Sequence, residues 1–410
     1  MRAKLLIRGI VCFAILSFYF LFSPITVNAA EPNIGDFDAL AVSFVDSYFD
    51  AGTYEVNVEE IRNIKLYEIY KTFDFVWIAN PFMNLPKPSD SEEPVMIKAK
   101  NLSNTVKQNR PLILDMDMSS DADDLSAFGL ACALDKMDVF DIKGVMMSVR
   151  GEDDRNLAAA NGFLKSEGLT GVLIGRSETE FMEDSAYWNY MNGEGDSWTN
   201  VDMACRQYRR ILASAEDNSV EILTTGYLGN LRALMQSTPD DISEFSGKQL
   251  VASKVRRLFV VGGAVPSGMD NNFIVADAPA DASYVAENFW CPTIFITNDL
   301  GSKMNCGRYL MKFDPDNKSA VSRGLRQFGA TDGYIAWDPF GVYVCAFCDN
   351  PFISQIALIP TTITINPQSG ENFFVDSADG VHQRVKLLNF DMNYYSSIMD
   401  SVLIHDTFFR

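Results

Sequence analysis

From Arg110 onward, short apolar runs alternate with segments long enough to be helices. The runs at 111–116, 142–149, 171–175, 220–225, 256–262 and 292–297 are rich in Leu, Ile, Val and Phe, and each reads as a strand buried on both faces. Behind the first of them, Ala127, Leu130, Ala131 and Leu134 recur at i, i+3, i+4 and i+7, the period of a helix with one buried face. Strands separated by helices predict an α/β fold, a mostly parallel, Rossmann-like open sheet with helices on both faces. Residues 31–79 are apolar and aromatic without that alternation, and the Pro-rich stretch 80–94 reads as a linker. We therefore set residues 31–106 apart as an N-terminal extension and 107–410 as the main domain. The Gly-, Asn- and Trp-containing stretch 189–200 is too polar for core and predicts a loop over one edge, a candidate lid.

The first thirty residues have another pattern. Arg2, Lys4 and Arg8 precede an apolar run from Ile10 to Phe22, which ends at the small-residue sequence Val27-Asn-Ala-Ala30. That is the layout of a secretory signal peptide, and the run is shorter than the ~18 residues a spanning helix needs. The expectation is a secreted or exported protein with no membrane attachment after cleavage. Loss of the leader carries the formal charge from −20 to −23, which excludes nucleic acid as a partner and favours cations. Cys12 leaves with the leader, and the six remaining cysteines allow up to three disulfides without fixing any pairing. Cys345-Ala-Phe-Cys348 lies in an apolar segment and reads as a buried pair or a disulfide half rather than a redox motif. Asn101-Leu-Ser103 and Asn317-Lys-Ser319 are glycosylation sequons.

The candidate chemistry begins where the first strand ends. Asp115-Met-Asp117-Met-Ser-Ser-Asp121-Ala-Asp123-Asp124 sets five acids within ten residues, between a strand and a helix start. The carboxyl edge of a parallel sheet is where open α/β folds bind ligands, and the following helix dipole offsets part of the repulsion. Carboxylates 4 Å apart still repel by roughly 4 kcal/mol per pair at an effective dielectric of 20. A hard divalent cation relieves this; oxygen-only ligation selects calcium or magnesium, with calcium the better expectation. The bland alternative is a solvated acidic loop with a helix-capping Asp.

Four separated motifs together resemble the calcium-dependent, inosine-uridine-preferring nucleoside hydrolases, over about 300 residues from Pro111. They are the acid cluster from Leu114 to Asp124, Ser219-Val-Glu-Ile-Leu-Thr-Thr-Gly-Tyr-Leu-Gly-Asn-Leu231, Leu258-Phe-Val-Val-Gly-Gly-Ala264 with Asp270-Asn-Asn272 and Asp277, and Trp337-Asp338-Pro339-Phe340. The resemblance implies hydrolysis of a small-molecule ribonucleoside to ribose and free base. It makes Asp117 both metal ligand and general base, Asp124 and Asp338 further ligands of Ca2+, and the Gly229 carbonyl the backbone ligand. Asp123, Asp270 and Asn272 would hold ribose hydroxyls, and Trp337 would stack on the base or fill core. The loop before Asp123 is two residues longer than the commonest family form, so Asp121 is a candidate to displace Asp123 in its role, and also a candidate metal ligand. Arg150-Gly151-Glu152 replaces a Gly-Asn that contacts ribose in many members, and Trp337 replaces the family's active-site His. A homo-oligomer is compatible with the chain.

Two rivals stand beside this. Asp115-Met-Asp117-Met-Ser119 also fits a haloacid dehalogenase-type phosphatase, with Asp115 as covalent nucleophile. The missing histidine and altered ribose contacts suit a degenerate, nucleoside-binding extracellular protein. An EF-hand is the weaker fit: Asp115, Asp117, Ser119 and Asp121 match its first ligand positions, but Ser120 and Ser126 stand where Gly and Glu are needed.

Overall fold

The computed structural model describes residues 108–118, 121–183 and 201–408. The leader, the extension 31–106, the sequon at Asn101 and the loop 189–200 lie outside the described residues.

Strands β1 (Arg110–Met116), β2 (Phe140–Met147), β3 (Leu173–Gly175), β4 (Val220–Thr224), β5 (Val255–Val261), β6 (Ser267–Gly268) and β7 (Thr293–Ile296) are followed by a short pair, β8 (Asn305–Cys306) with β9 (Tyr334–Ile335). Then come β10 (Ile356–Ile365), β11 (Asn372–Asp376) and β12 (His382–Leu387). One ten-stranded sheet has the order β3-β2-β1-β4-β5-β7-β12-β10-β11-β6. Every pairing from β3 across to β12 is parallel, and β10, β11 and β6 complete the sheet antiparallel. The chain leaves β1 toward β2 and β3 on one side and returns to β4 on the other, so the direction of winding reverses between β1 and β4. At such a switch point the loops part and leave a crevice at the strands' carboxyl ends.

The sheet is buried on both faces, as the continuous apolar runs require. Leu112 and Leu114 of β1 belong to one core and Ile113, between them, to the other. The helix α1 (Asp123–Lys136) departs from the single-faced expectation: every residue from Asp123 to Leu134 is buried. Its outer side is covered by the helices Ala320–Phe328, Trp337–Phe347 and Met392–Phe408. Two glycines allow that approach. A Cβ on Gly324 would sit 2.0 Å from a Leu125 methyl, and one on Gly129 would sit 2.3 Å from a Val321 methyl. Among the described residues, no helix is long and apolar enough to cross a membrane.

At the amino-terminal edge of the sheet, Glu221 of β4 is fully buried between Arg110 of β1 and Arg257 of β5. Arg110 also donates to the carbonyls of Cys345 (3.0 Å) and Ala346 (2.9 Å), in the last turn of the helix Trp337–Phe347. Both thiols of the Cys345–Cys348 pair lie here. The six cysteines among the described residues are free, and burial pushes Cys345 well up and Cys348 to about 11, so neither is a thiolate at neutral pH. Glu221→Ala is expected to destabilise the protein by about 3–5 kcal/mol, because two arginines lose their buried counter-charge. Denaturant unfolding measures it; a loss under about 1 kcal/mol would mean that water reaches this edge.

Candidate active site

The acids are delivered by three segments. β1 runs directly into Asp117; the loop and first turn of α1 carry Asp121, Asp123 and Asp124; and a helix we label α2 (Trp337–Phe347) carries Asp338 in its first turn. Carboxylate oxygens of Asp117, Asp124 and Asp338 all lie within 4.8 Å of one another, and those of Asp121, Asp123 and Asp124 form a second, overlapping group. Asp338 thus reaches the cluster from more than two hundred residues away, its backbone N–H donating to Asp123 Oδ2 at 3.1 Å. Neither helix start uses an Asp as its cap. Ala122 precedes α1 and Ala336 precedes α2, neither with a side-chain cap, so the acids are not explained as capping residues. Two positive helix ends converge on them instead.

Burial and mutual repulsion dominate the electrostatics. Asp117 is pushed to about 7, mainly by burial and further by Asp121 and Glu183, against a hydrogen bond from Asp124. Asp123, Asp124 and Asp338 are held well above the usual carboxylate range, first by burial and then by neighbouring acids. After burial, the main influences raising Asp124 are the neighbouring acids Asp117, Asp338 and Asp123. Buried, uncompensated, oxygen-only donors converging from three segments fit a hard divalent cation.

Other site candidates have more specific surroundings. Asp270 is buried and pushed to about 6 by that burial, against hydrogen bonds from the Asn272 and Gly263 backbones and the Asn298 side chain. Asn272 donates both amide hydrogens, to the Thr225 carbonyl (2.8 Å) and the Val261 carbonyl (3.0 Å). It therefore ties the ends of β4 and β5 together, and only its Oδ1 is left to accept from a ligand. Gly229 opens the helix Gly229–Gln236 next to Asp281, whose Oδ2 lies 2.9 Å from where a Cβ would stand. Trp337 is half-buried against the core, with Nε1 donating to the Asn298 carbonyl at 3.0 Å. That bond occupies the indole's single polar hydrogen. Arg150, at the altered ribose motif, pairs with Glu180 at 2.7 Å.

Asp115 is separate from the cluster it begins. It is fully buried, accepting from Tyr208 Oη (2.8 Å) and Asn230 Nδ2 (3.0 Å), and burial pushes it to about 7. A carboxylate sealed in this way cannot attack a phosphate, which corrects the phosphatase alternative. Sequence reasoning missed Asn230, which also binds the Met147 carbonyl (2.8 Å) and so joins β1 to β2 beneath the site. It missed Thr225 too, whose hydroxyl donates to Asp124 Oδ1 at 3.2 Å. Gly226 follows it, with no room for a Cβ: Asp117 N would lie 2.8 Å away. Thr225-Gly226 directly after β4 was the available signal.

The architecture is that of the nucleoside hydrolases: a mostly parallel central sheet flanked by helices, matched over nearly the whole length of known structures of that kind. The inosine-uridine preferring nucleoside hydrolase from Bacillus anthracis superposes with a TM-score of 0.53 at 16% identity, covering 72% of this chain and 99% of its own. The purine-preferring ribonucleoside hydrolase from Gardnerella vaginalis gives 0.51 at 15% identity, with 73% and 99% covered. The type III effector protein XopQ, complexed with adenosine diphosphate ribose, gives 0.56 at 13% identity, with 77% and 99% covered. No protein-family model and no curated protein matches the sequence. At these identities the likeness is one of fold.

Proposed function

We propose that this chain hydrolyses the N-glycosidic bond of ribonucleosides, yielding ribose and free base. The observation that carries the reading is the convergence of Asp117, Asp124 and Asp338 at the sheet's switch point. Two of the three structures compared above are described as nucleoside hydrolases, which supports it. Asp117, Asp124 and Asp338 would hold calcium, with Asp121 at the edge of the group. When bound, calcium would lower the pKa of a coordinated water and grip the ribose diol. Asp117 takes the proton from water as it adds to the anomeric carbon, and the bonding pair leaves with the base. The remaining negative charge stabilises the cationic sugar of the transition state. Asp123, Asp270 and the Oδ1 of Asn272 accept from ribose hydroxyls. The leader is read as secretory, so the reaction takes place outside the cytoplasm. The test is direct: incubation of purified protein with calcium and a panel of nucleosides should release reducing sugar. Release from none would favour the second reading, a nucleoside-binding protein.

That second reading rests on Trp337, whose committed N–H can neither protonate a leaving base nor carry positive charge. For the hydrolase, the rate then depends on the quality of the leaving group. p-Nitrophenyl riboside should be cleaved roughly 100-fold or more faster than inosine or uridine, and Trp337→His should narrow the gap. Similar rates on all three would show that another acid protonates the base.

A further inference from the structure

Beyond β2, the chain makes one more parallel bridge. Arg150 N donates to the Phe181 carbonyl and Glu183 N to the Arg150 carbonyl, both at 2.9 Å, so residues 181–183 lie as a short strand past the sheet's carboxyl edge. Alternation turns Phe181 and Glu183 to the same side and Met182, 56% exposed, to the other. On their side stands Tyr227, packed edge-on to Phe181 at 5.6 Å between ring centroids, with Oη donating to Glu183 Oε1 at 3.5 Å. Burial, with Asp117 and Glu183 adding to it, raises the Tyr227 phenol far above its ordinary value, so it stays a donor. The other oxygen, Glu183 Oε2, is buried and has no hydrogen-bond partner among the described residues. Glu183 is also among the charges that act on Asp117, so it borders the acid centre.

We propose that Glu183, held by Tyr227 beside the Phe181 ring, is a specificity residue that reads the N–H edge of the substrate's base. This rests on the hydrolase reading above and names its preferred substrate. A buried carboxylate oxygen without a donor is costly, and a ligand that supplies donors removes the cost. The aromatic wall favours a flat ring over a hydrated ion. Guanine presents N1–H and an amino N–H side by side, matching both oxygens of a carboxylate; hypoxanthine presents N1–H alone; uracil flanks its N3–H with two carbonyls that the carboxylate repels. The preference is guanosine over inosine over uridine.

The test compares kcat/KM for guanosine, uridine and p-nitrophenyl riboside in the wild type, Glu183→Gln and Tyr227→Phe, with calcium present and folding checked by thermal unfolding. Glu183→Gln should cost guanosine roughly 10- to 100-fold and the other two substrates far less. Tyr227→Phe should shift the ratio the same way by a smaller factor. Equal losses on all three substrates would overturn the assignment. So would a matching drop in calcium affinity, measured by calorimetry without nucleoside, which would make Glu183 a cation ligand. Failure of the wild type to cleave any of the three would overturn the hydrolase reading itself, a result distinct from both.

Discussion

Asp117→Ala should lower turnover on a ribonucleoside roughly 100- to 10,000-fold, the usual worth of a general base, with loss of a cation ligand added to it. Asp121→Ala should cost about tenfold or less. The contrast follows from where the two side chains stand. Asp117 lies at the end of β1, its backbone pressed against Gly226, with its carboxylate grouped with Asp124 and Asp338. Asp121 is half-exposed and belongs only to the outer group with Asp123 and Asp124. Burial and neighbouring acids push the Asp117 carboxyl to about 7 in the cation-free protein; a bound cation would ionise it, leaving the carboxylate to accept the proton from water. Single-turnover kinetics at saturating calcium separates the base from the ligand role. Equal losses for the two variants would transfer the base to the longer loop.

Without a bound cation, the protein is expected to lose stability as pH rises, the reverse of ordinary acid denaturation. Asp117 and Asp115 are pushed to about 7 and Asp270 to about 6, and Asp123, Asp124 and Asp338 are raised as well, all above the ~3.9 of an unfolded chain. A carboxyl whose folded pKa is raised binds its proton more tightly in the native state. Its contribution is fully present below about pH 4 and is lost as pH climbs through 6 to 7. Calcium reverses the sign for its ligands, which must ionise to bind it, so its stabilisation is greatest at neutral and alkaline pH and fades as protons compete. At a thousandfold excess over its dissociation constant it adds about 4 kcal/mol. Thermal unfolding at about pH 5 and pH 8, with chelator and with calcium, gives the comparison. A calcium gain of the same size at both pH values would show that the acids are already ionised and solvated in the free protein.

The parallel half of the sheet was legible because strands buried on both faces must be apolar throughout. Each of the six runs read from the sequence contains a strand in the structure, displaced by a few residues at most. The last three strands, β10, β11 and β12, were not legible. The apolar start of β10, Ile356-Ala-Leu-Ile359, is cut short by Pro360 and followed by alternating Thr and Ile. β11 offers only Phe373-Phe-Val375 with both ends exposed, so neither has the length and full burial of the runs in the parallel half. The acids were legible as a cluster, but Asp115 was not separable from its neighbours. Its partners, Tyr208 and Asn230, lie about a hundred residues away on helices, with nothing local to mark them. The same holds for Thr225 and Glu183, single polar residues whose roles arise from what stands across from them.

Asp338 meets Asp123 across 215 positions of sequence, and Arg110 holds the far end of the helix that carries it. The grouping of Asp117, Asp124 and Asp338 therefore does not exist in any partly made chain. Until the helix that carries Asp338 has docked against α1, the acids of the first loop repel one another with no third carboxylate to close the set. Contacts this distant are among the last that a chain can form. With calcium as the proposed ligand, a refolding protein should acquire calcium binding only after its early strands are already paired.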